Sequence, residues 1–130
     1  MALDSLGRHK EAIEKYKKVV KYQTNYAAGW YNWGQSLNLL GMHEDAIEKY
    51  KQAISHQGDY ADAWCNWGHS LNALGKYEEA MEKYRETLKH DSGYGEAFYF
   101  WGLTLKELGR YYDGEEKLER ARKLGFKPPF

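Results

Sequence analysis

The sequence predicts an all-α solenoid of stacked antiparallel helix pairs, and three observations predict it. The stretch Trp64 to Tyr84, WCNWGHSLNALGKYEEAMEKY, returns 34 positions earlier as WYNWGQSLNLLGMHEDAIEKY and 34 positions later as FYFWGLTLKELGRYYDGEEKL. A fixed period of this length marks a repeat architecture. Each copy carries apolar residues at helical spacing on both sides of a glycine (Gly41, Gly75, Gly109), so each reads as helix, turn, helix. The 2 prolines both lie in the last few residues, so nothing upstream interrupts a run of helices.

Met1 to Leu6 align with the tail of a first helix, Leu3 and Leu6 matching Leu37 and Leu40, and Glu11 to Tyr22 align with a complete second helix. Residues 1–26 therefore read as a partial repeat, which leaves His9, Ala12, Tyr16 and Val19 without a partner helix, as in a fragment of a longer protein. Complete repeats follow at 27–60, 61–94 and 95–130. Small residues such as Gly68 and Ala80 let paired helices approach closely. Trp67, Leu71 and Leu74 lie beside them at helical spacing, and the tryptophans are expected in the core. Ile47 with Ile54, and Met81 with Leu88, form a second stripe that must pack on the following repeat, because one helix pair cannot bury both faces alone. In the last repeat that stripe becomes Glu115 and Arg122, the polar face a terminal repeat needs. Gly125 stops the last helix, and Pro128-Pro129 prevent its resumption.

These positions (a large aromatic, Trp-Gly, a glycine at the turn, then Ala and Tyr) resemble the tetratricopeptide repeat family over almost the whole chain. The resemblance implies a right-handed superhelix whose first helices line a concave, peptide-binding surface. The proline usual between repeats is absent, and Thr24, Gly58 and Ser92 stand in its place. Gly58 can end a helix in a left-handed conformation, and Thr24 and Ser92 can bond locally to backbone. Carried across residue by residue, the lining is Tyr31, Asn32, Gln35 and Asn38, then Cys65, Asn66, His69 and Asn72, then Tyr99, Leu103 and Lys106. An asparagine amide both donates to and accepts from a peptide backbone. Asn32 and Asn66 resemble two rungs of the asparagine ladder in the repeats of O-linked GlcNAc transferase, and Phe100 breaks the third. The competing reading is that Asn38 and Asn72 cap or solvate helix ends. Relatives that bind chaperone C-terminal tails use a cationic clamp, where this chain has Tyr31, Asp62, Cys65, Glu96 and Phe100; such acidic tails are not expected partners.

The 19 Lys+Arg balance the 19 Asp+Glu, which argues against a general grip on nucleic acid or an anionic membrane. No apolar run reaches membrane-span length, and the mixed-charge N-terminus is not a secretory signal. The single cysteine, Cys65, excludes an internal disulfide framework and suits a reducing compartment such as the cytoplasm.

No catalytic constellation is legible. The glycines are spread rather than clustered into a phosphate loop. Glu78-Glu79 and Glu115-Glu116 point about 100° apart and read as solvated faces, with Glu79 placed to pair with Lys83. His9 with His43, and His56 with His90, are repeat equivalents on different repeats, too far apart to share a zinc ion. Cys65 and His69 share a helix face at i, i+4 and could form a two-ligand site or a thiol–imidazole pair, but no third group is visible. The expectation is a noncatalytic adaptor that binds a protein or peptide partner, with no metal and no cofactor. The alternative is self-assembly, through the open N-terminal repeat or by insertion of the FKPPF tail into a neighbour's groove.

Overall fold

Glycines set the helix ends. Gly41, Gly75, Gly109 and Gly125 have φ of +80°, +77°, +80° and +80°, a region costly for residues with a Cβ. Each lets the next amide turn back onto the helix it leaves: Met42 N–H donates to Leu37 O at 2.9 Å, and Lys76 N–H to Leu71 O at 2.9 Å. Arg110 and Phe126 repeat the bond to Leu105 and Ala121. This closure satisfies carbonyls that a helix end would otherwise orphan. A Cβ built on Gly75 meets nothing within 4 Å, so its constraint is purely conformational. Gly75→Val is therefore expected to lose about 1–2 kcal/mol, and Gly75→Asn much less. Thermal unfolding of the two variants checks this, and equal melting temperatures would contradict it.

The computed structural model describes residues 2–128. Between the glycine turns run α1 (Ala2–Tyr22), α2 (Ala27–Leu39), α3 (His43–His56), α4 (Ala61–Ala73), α5 (Tyr77–His90), α6 (Gly95–Glu107) and α7 (Tyr111–Lys123). The closest packing is within the pairs α2–α3, α4–α5 and α6–α7, and each pair then rests on the next. The result is an all-α repeat solenoid.

One boundary differs from expectation. The repeat pattern places a turn after Leu6, but α1 runs unbroken through Gly7, whose φ is not positive. So short a stretch cannot bury a face against α1, and continuing the helix keeps the backbone hydrogen bonds that a turn would release. The Leu3 and Leu6 side chains, and Pro129 and Phe130, lie outside the described residues.

The turns between repeats also differ. Gly58 does not take a left-handed conformation; α3 instead ends with Gln57 extended at φ −146°. Tryptophan secures these turns: the Trp30 indole N–H donates to Thr24 O at 2.7 Å, and that of Trp64 to Gly58 O at 2.8 Å. In the third turn, Gly93 N–H donates to the Asp91 carboxylate at 3.1 Å. Phe98, at the Trp30 position, has no N–H to give.

The buried centre of the α2–α3 and α4–α5 pairs is tyrosine, not tryptophan; in α6–α7 Leu118 holds the equivalent position. Tyr50 and Tyr84 are 0% exposed, whereas all five tryptophans are half-buried. The reason is the glycine opposite. A Cβ on Gly34 would come within 2.6 Å of the Tyr50 ring, and one on Gly68 within 2.7 Å of Tyr84. That notch admits a phenol edge-on, and the wider indoles are left at the margin. There they stack in pairs, Trp30 on Trp33 and Trp64 on Trp67, with ring centroids 5.6 and 5.4 Å apart. Lys49 and Lys83 each lie 4.0 Å from a ring, over Trp33 and Trp67, and Lys117 lies 4.4 Å over Trp101. Lys83 thus covers an indole in a cation–π contact instead of the expected pairing with Glu79.

The second stripe behaves as the pattern requires. Ile47 of α3 packs in one cluster with Cys65 and Leu71 of the following α4. Met81 is buried, while Glu115 and Arg122 of α7 are exposed.

Candidate functional site

Cross-repeat hydrogen bonds make α2, α4 and α6 neighbours. These bonds join the helices at offsets from 27 to 35 positions. Cys65, expected among the lining residues, is instead fully buried, with His69 and Glu96 against its thiol. Ser70 Oγ donates to Asn38 Oδ1 at 2.9 Å, and the Asn72 amide bonds the Thr104 hydroxyl at 2.9 Å. Asn38 also bonds His43 Nδ1, and Asn72 donates to the Tyr84 hydroxyl at 3.0 Å. Asn38 and Asn72 therefore sit within the polar seam between repeats. Lys106, their equivalent in the third repeat, is ion-paired with Glu115 of α7 and lies against Gly114.

The remaining lining residues divide by what holds them. Asn66 Nδ2 donates to the Tyr31 hydroxyl at 2.7 Å, and Tyr31 stacks on Tyr60 with centroids 5.1 Å apart. Burial, then the nearby Asp62 carboxylate, pushes the Tyr31 phenol up in pKa. Asn32 is half-buried and Gln35 exposed, and neither side chain has a hydrogen-bond partner among the described residues. Leu103 is exposed. Tyr99 meets Phe100 edge-on at 5.1 Å and lies 5.2 Å from Phe126, which also packs against Gly95. This part of the tail rests on its own α6.

Cys65 and His69 gain a third group that the sequence reading did not find. Glu96, from the start of α6, places Oε2 3.1 Å from His69 Nε2 and 3.5 Å from Cys65 Sγ. Cys65 Sγ and His69 Nε2 are 3.6 Å apart. His69 Nδ1 lies 2.8 Å from the Tyr84 hydroxyl, which fixes the ring. The hydrogen bond to His69 holds the Glu96 carboxyl below its ordinary pKa, against the effect of burial. Burial, and then the Glu96 carboxylate, pushes the Cys65 thiol well up.

This is not a nucleophilic triad. Acid and thiol share one ring nitrogen, whereas in a triad the acid orients the base through the other. A thiol raised in pKa is also a poor nucleophile. Nothing in the sequence signalled Glu96: bonds between neighbouring first helices fall at offsets from 27 to 35 positions, and only the packing brings Glu96 to Cys65 at 31 and to His69 at 27.

Among the described residues, no helix is long and apolar enough to cross a membrane. Tetratricopeptide repeat family models match residues 1–63 and 61–94. Among curated proteins, none matches the sequence. A crystal structure of MamA is similar with a TM-score of 0.85 at 26% identity, over 90% of this chain and 68% of that one. A second MamA structure is spanned to 63% of its length. MamA from residue 41 to its end, from Desulfovibrio magneticus RS-1, gives a TM-score of 0.83 at 18% identity, over 95% of this chain and 70% of that one; at this identity the likeness concerns the fold. The second TPR domain of Spaghetti (RPAP3), solved with an HSP90 peptide, gives 0.74 at 26% identity, over 78% of this chain and 95% of that one. With its 34-residue period, its glycine-turned helix pairs and these matches, the chain belongs to the tetratricopeptide repeat family, a protein–protein interaction fold.

Proposed function

We propose that the repeats 27–60, 61–94 and 95–130 act together as a noncatalytic adaptor that holds an extended peptide across α2, α4 and α6. The observation that carries this is the unengaged amide pair, Asn32 and Gln35, beside Tyr31 on the same face. An amide with both donor and acceptor free matches the alternating N–H and C=O of an extended backbone. The peptide bound by the RPAP3 domain adds support by analogy of fold. Leu103 and the open part of Tyr99 supply apolar contact. Asn66 contributes its acceptor oxygen, its Nδ2 being committed to Tyr31.

Charge narrows the partner. Asp62 and Glu96 stand on this face where relatives that grip acidic tails carry cations, and Lys106 is neutralised by Glu115. The preferred segment is neutral or basic, and acidic chaperone tails are not ligands. The peptide SRMEEVD, bound by the RPAP3 domain, is the direct probe of the second statement. It is expected to give no saturable signal by calorimetry at concentrations where the RPAP3 domain saturates.

The positive test starts from displayed random peptides of about twelve residues, a length that spans the three first helices when extended. Peptides selected on the wild type should weaken about tenfold or more, near 1.4 kcal/mol, with Asn32→Ala plus Gln35→Ala. The melting temperature should not move. Equal loss of binding and stability would mean that the amides are structural.

A further inference from the structure

We infer that Cys65, His69 and Glu96 form a zinc-binding site that bridges α4 and α6. Three different donor atoms, a sulfur, a nitrogen and a carboxylate oxygen, converge there within 4.8 Å of one another. A tetrahedral zinc with its usual bond lengths sets its ligands about 3.3 Å apart for nitrogen and oxygen, and about 3.5 Å apart from sulfur to either. The separations in the fold are 3.1 Å for nitrogen to oxygen, and 3.6 and 3.5 Å for sulfur to nitrogen and to oxygen. One face of a zinc tetrahedron is already laid out.

The surroundings suit a metal as well. Tyr84, itself held by Asn72, contacts the far ring nitrogen of His69, and such an outer partner is what fixes a ligating imidazole. With Nδ1–H donating to the Tyr84 oxygen, the Nε2 lone pair faces the centre of the cluster. A mixed sulfur, nitrogen and oxygen set favours zinc over magnesium or calcium, which take oxygen alone. On binding, the Cys65 proton passes to solvent and the thiolate becomes the ligand.

Cys65 is fully buried, while the Glu96 side chain is 38% exposed and that of His69 is 21% exposed. The fourth vertex therefore points outward onto the face of α2, α4 and α6, open to water or to a donor atom from outside. The site belongs to the middle of the array alone. Its equivalents one repeat earlier are Tyr31, Gln35 and Asp62, which lack both sulfur and imidazole.

The test uses the whole chain, reduced and freed of metal by a chelator, with Co²⁺ as a spectroscopic stand-in for zinc. One equivalent should produce the near-ultraviolet thiolate-to-cobalt band and the strong visible bands of tetrahedral cobalt, and one equivalent of Zn²⁺ should abolish both. Cys65→Ser should remove the thiolate band. Glu96→Gln, at a half-exposed position where folding is not at stake, should weaken Co²⁺ binding by more than the roughly 10–100-fold that outer partners cost. Absence of tetrahedral bands in the wild type overturns the proposal. So does a Glu96→Gln variant, its helical circular dichroism intact, that binds as tightly as the wild type.

Discussion

Gly68→Ala is expected to destabilise the chain by about 3 kcal/mol, the upper part of the range for overpacking a core. The new Cβ would lie 2.7 Å from Cε1 of Tyr84, 3.0 Å from Cδ1 and 3.1 Å from Cζ. No flexible end can yield. Tyr84 is 0% exposed, its ring is held by α4 and α5, and its hydroxyl is bonded by Asn72 and His69. The helices must part instead, which loosens the buried cluster of Leu71, Ala80 and Ala97. For a domain of this size the loss should lower the melting temperature by about 10 °C. Gly34→Ala should behave alike, because its Cβ would meet Tyr50 at 2.6 Å. Gly58→Ala is the control: the nearest atom to its Cβ is 3.9 Å away and its φ is not positive, so no loss is expected. Thermal and denaturant unfolding followed by circular dichroism measure all three. A Gly68→Ala variant as stable as Gly58→Ala would refute the notch.

The second large effect is a contrast between two tyrosines that the repeat makes equivalent. Tyr84→Phe removes an oxygen that accepts from Asn72 at 3.0 Å and lies 2.8 Å from His69 Nδ1. His69 Nδ1 is left without a partner, and Asn72, which keeps Thr104, loses one of its two partners, so about 2 kcal/mol should be lost. Tyr50→Phe should be neutral or stabilising by up to about 1 kcal/mol. Its hydroxyl is buried and, among the described residues, without a hydrogen-bond partner. The sequence difference responsible is at the position of His69, which holds Gln35 in the earlier repeat. Asn38, the equivalent of Asn72, is already engaged by Ser70 and His43. Gln35→His is therefore expected to stabilise the chain, and to lose that gain when combined with Tyr50→Phe. Denaturant unfolding of the four proteins closes this cycle. Additive effects would exclude a bond between the introduced imidazole and Tyr50.

The architecture was legible because it is written locally and three times over. A 34-residue period, a glycine at each turn and a polar stripe on the last helix all act within a helix pair or on its immediate neighbour. Gly41, Gly75 and Gly109 could be placed in left-handed turns because glycine closes a helix in that conformation without the cost a Cβ brings, whereas Gly58 shows that a helix can also close without it. Register and the family resemblance grouped candidate lining residues on one face of each first helix, but they did not show that Cys65 would be buried or that Asn38 and Asn72 would be bonded between repeats.

What the sequence could not decide was which side chains meet across repeats. Period equates Tyr50 with Tyr84, but their hydroxyls differ because one helix carries Gln35 and the other His69. Period also sorts residues by offsets of 34, whereas the bonds between neighbouring first helices fall at offsets from 27 to 35. That shift, set by how one helix pair slides on the next, brings Glu96 to Cys65 and His69 and draws Asn72 into the seam with Thr104. Tryptophan, the most apolar-looking residue of the repeat, lies at the margin for a reason internal to each helix pair. A glycine notch is shaped by two helices at once, and only their packing determines which ring fits it.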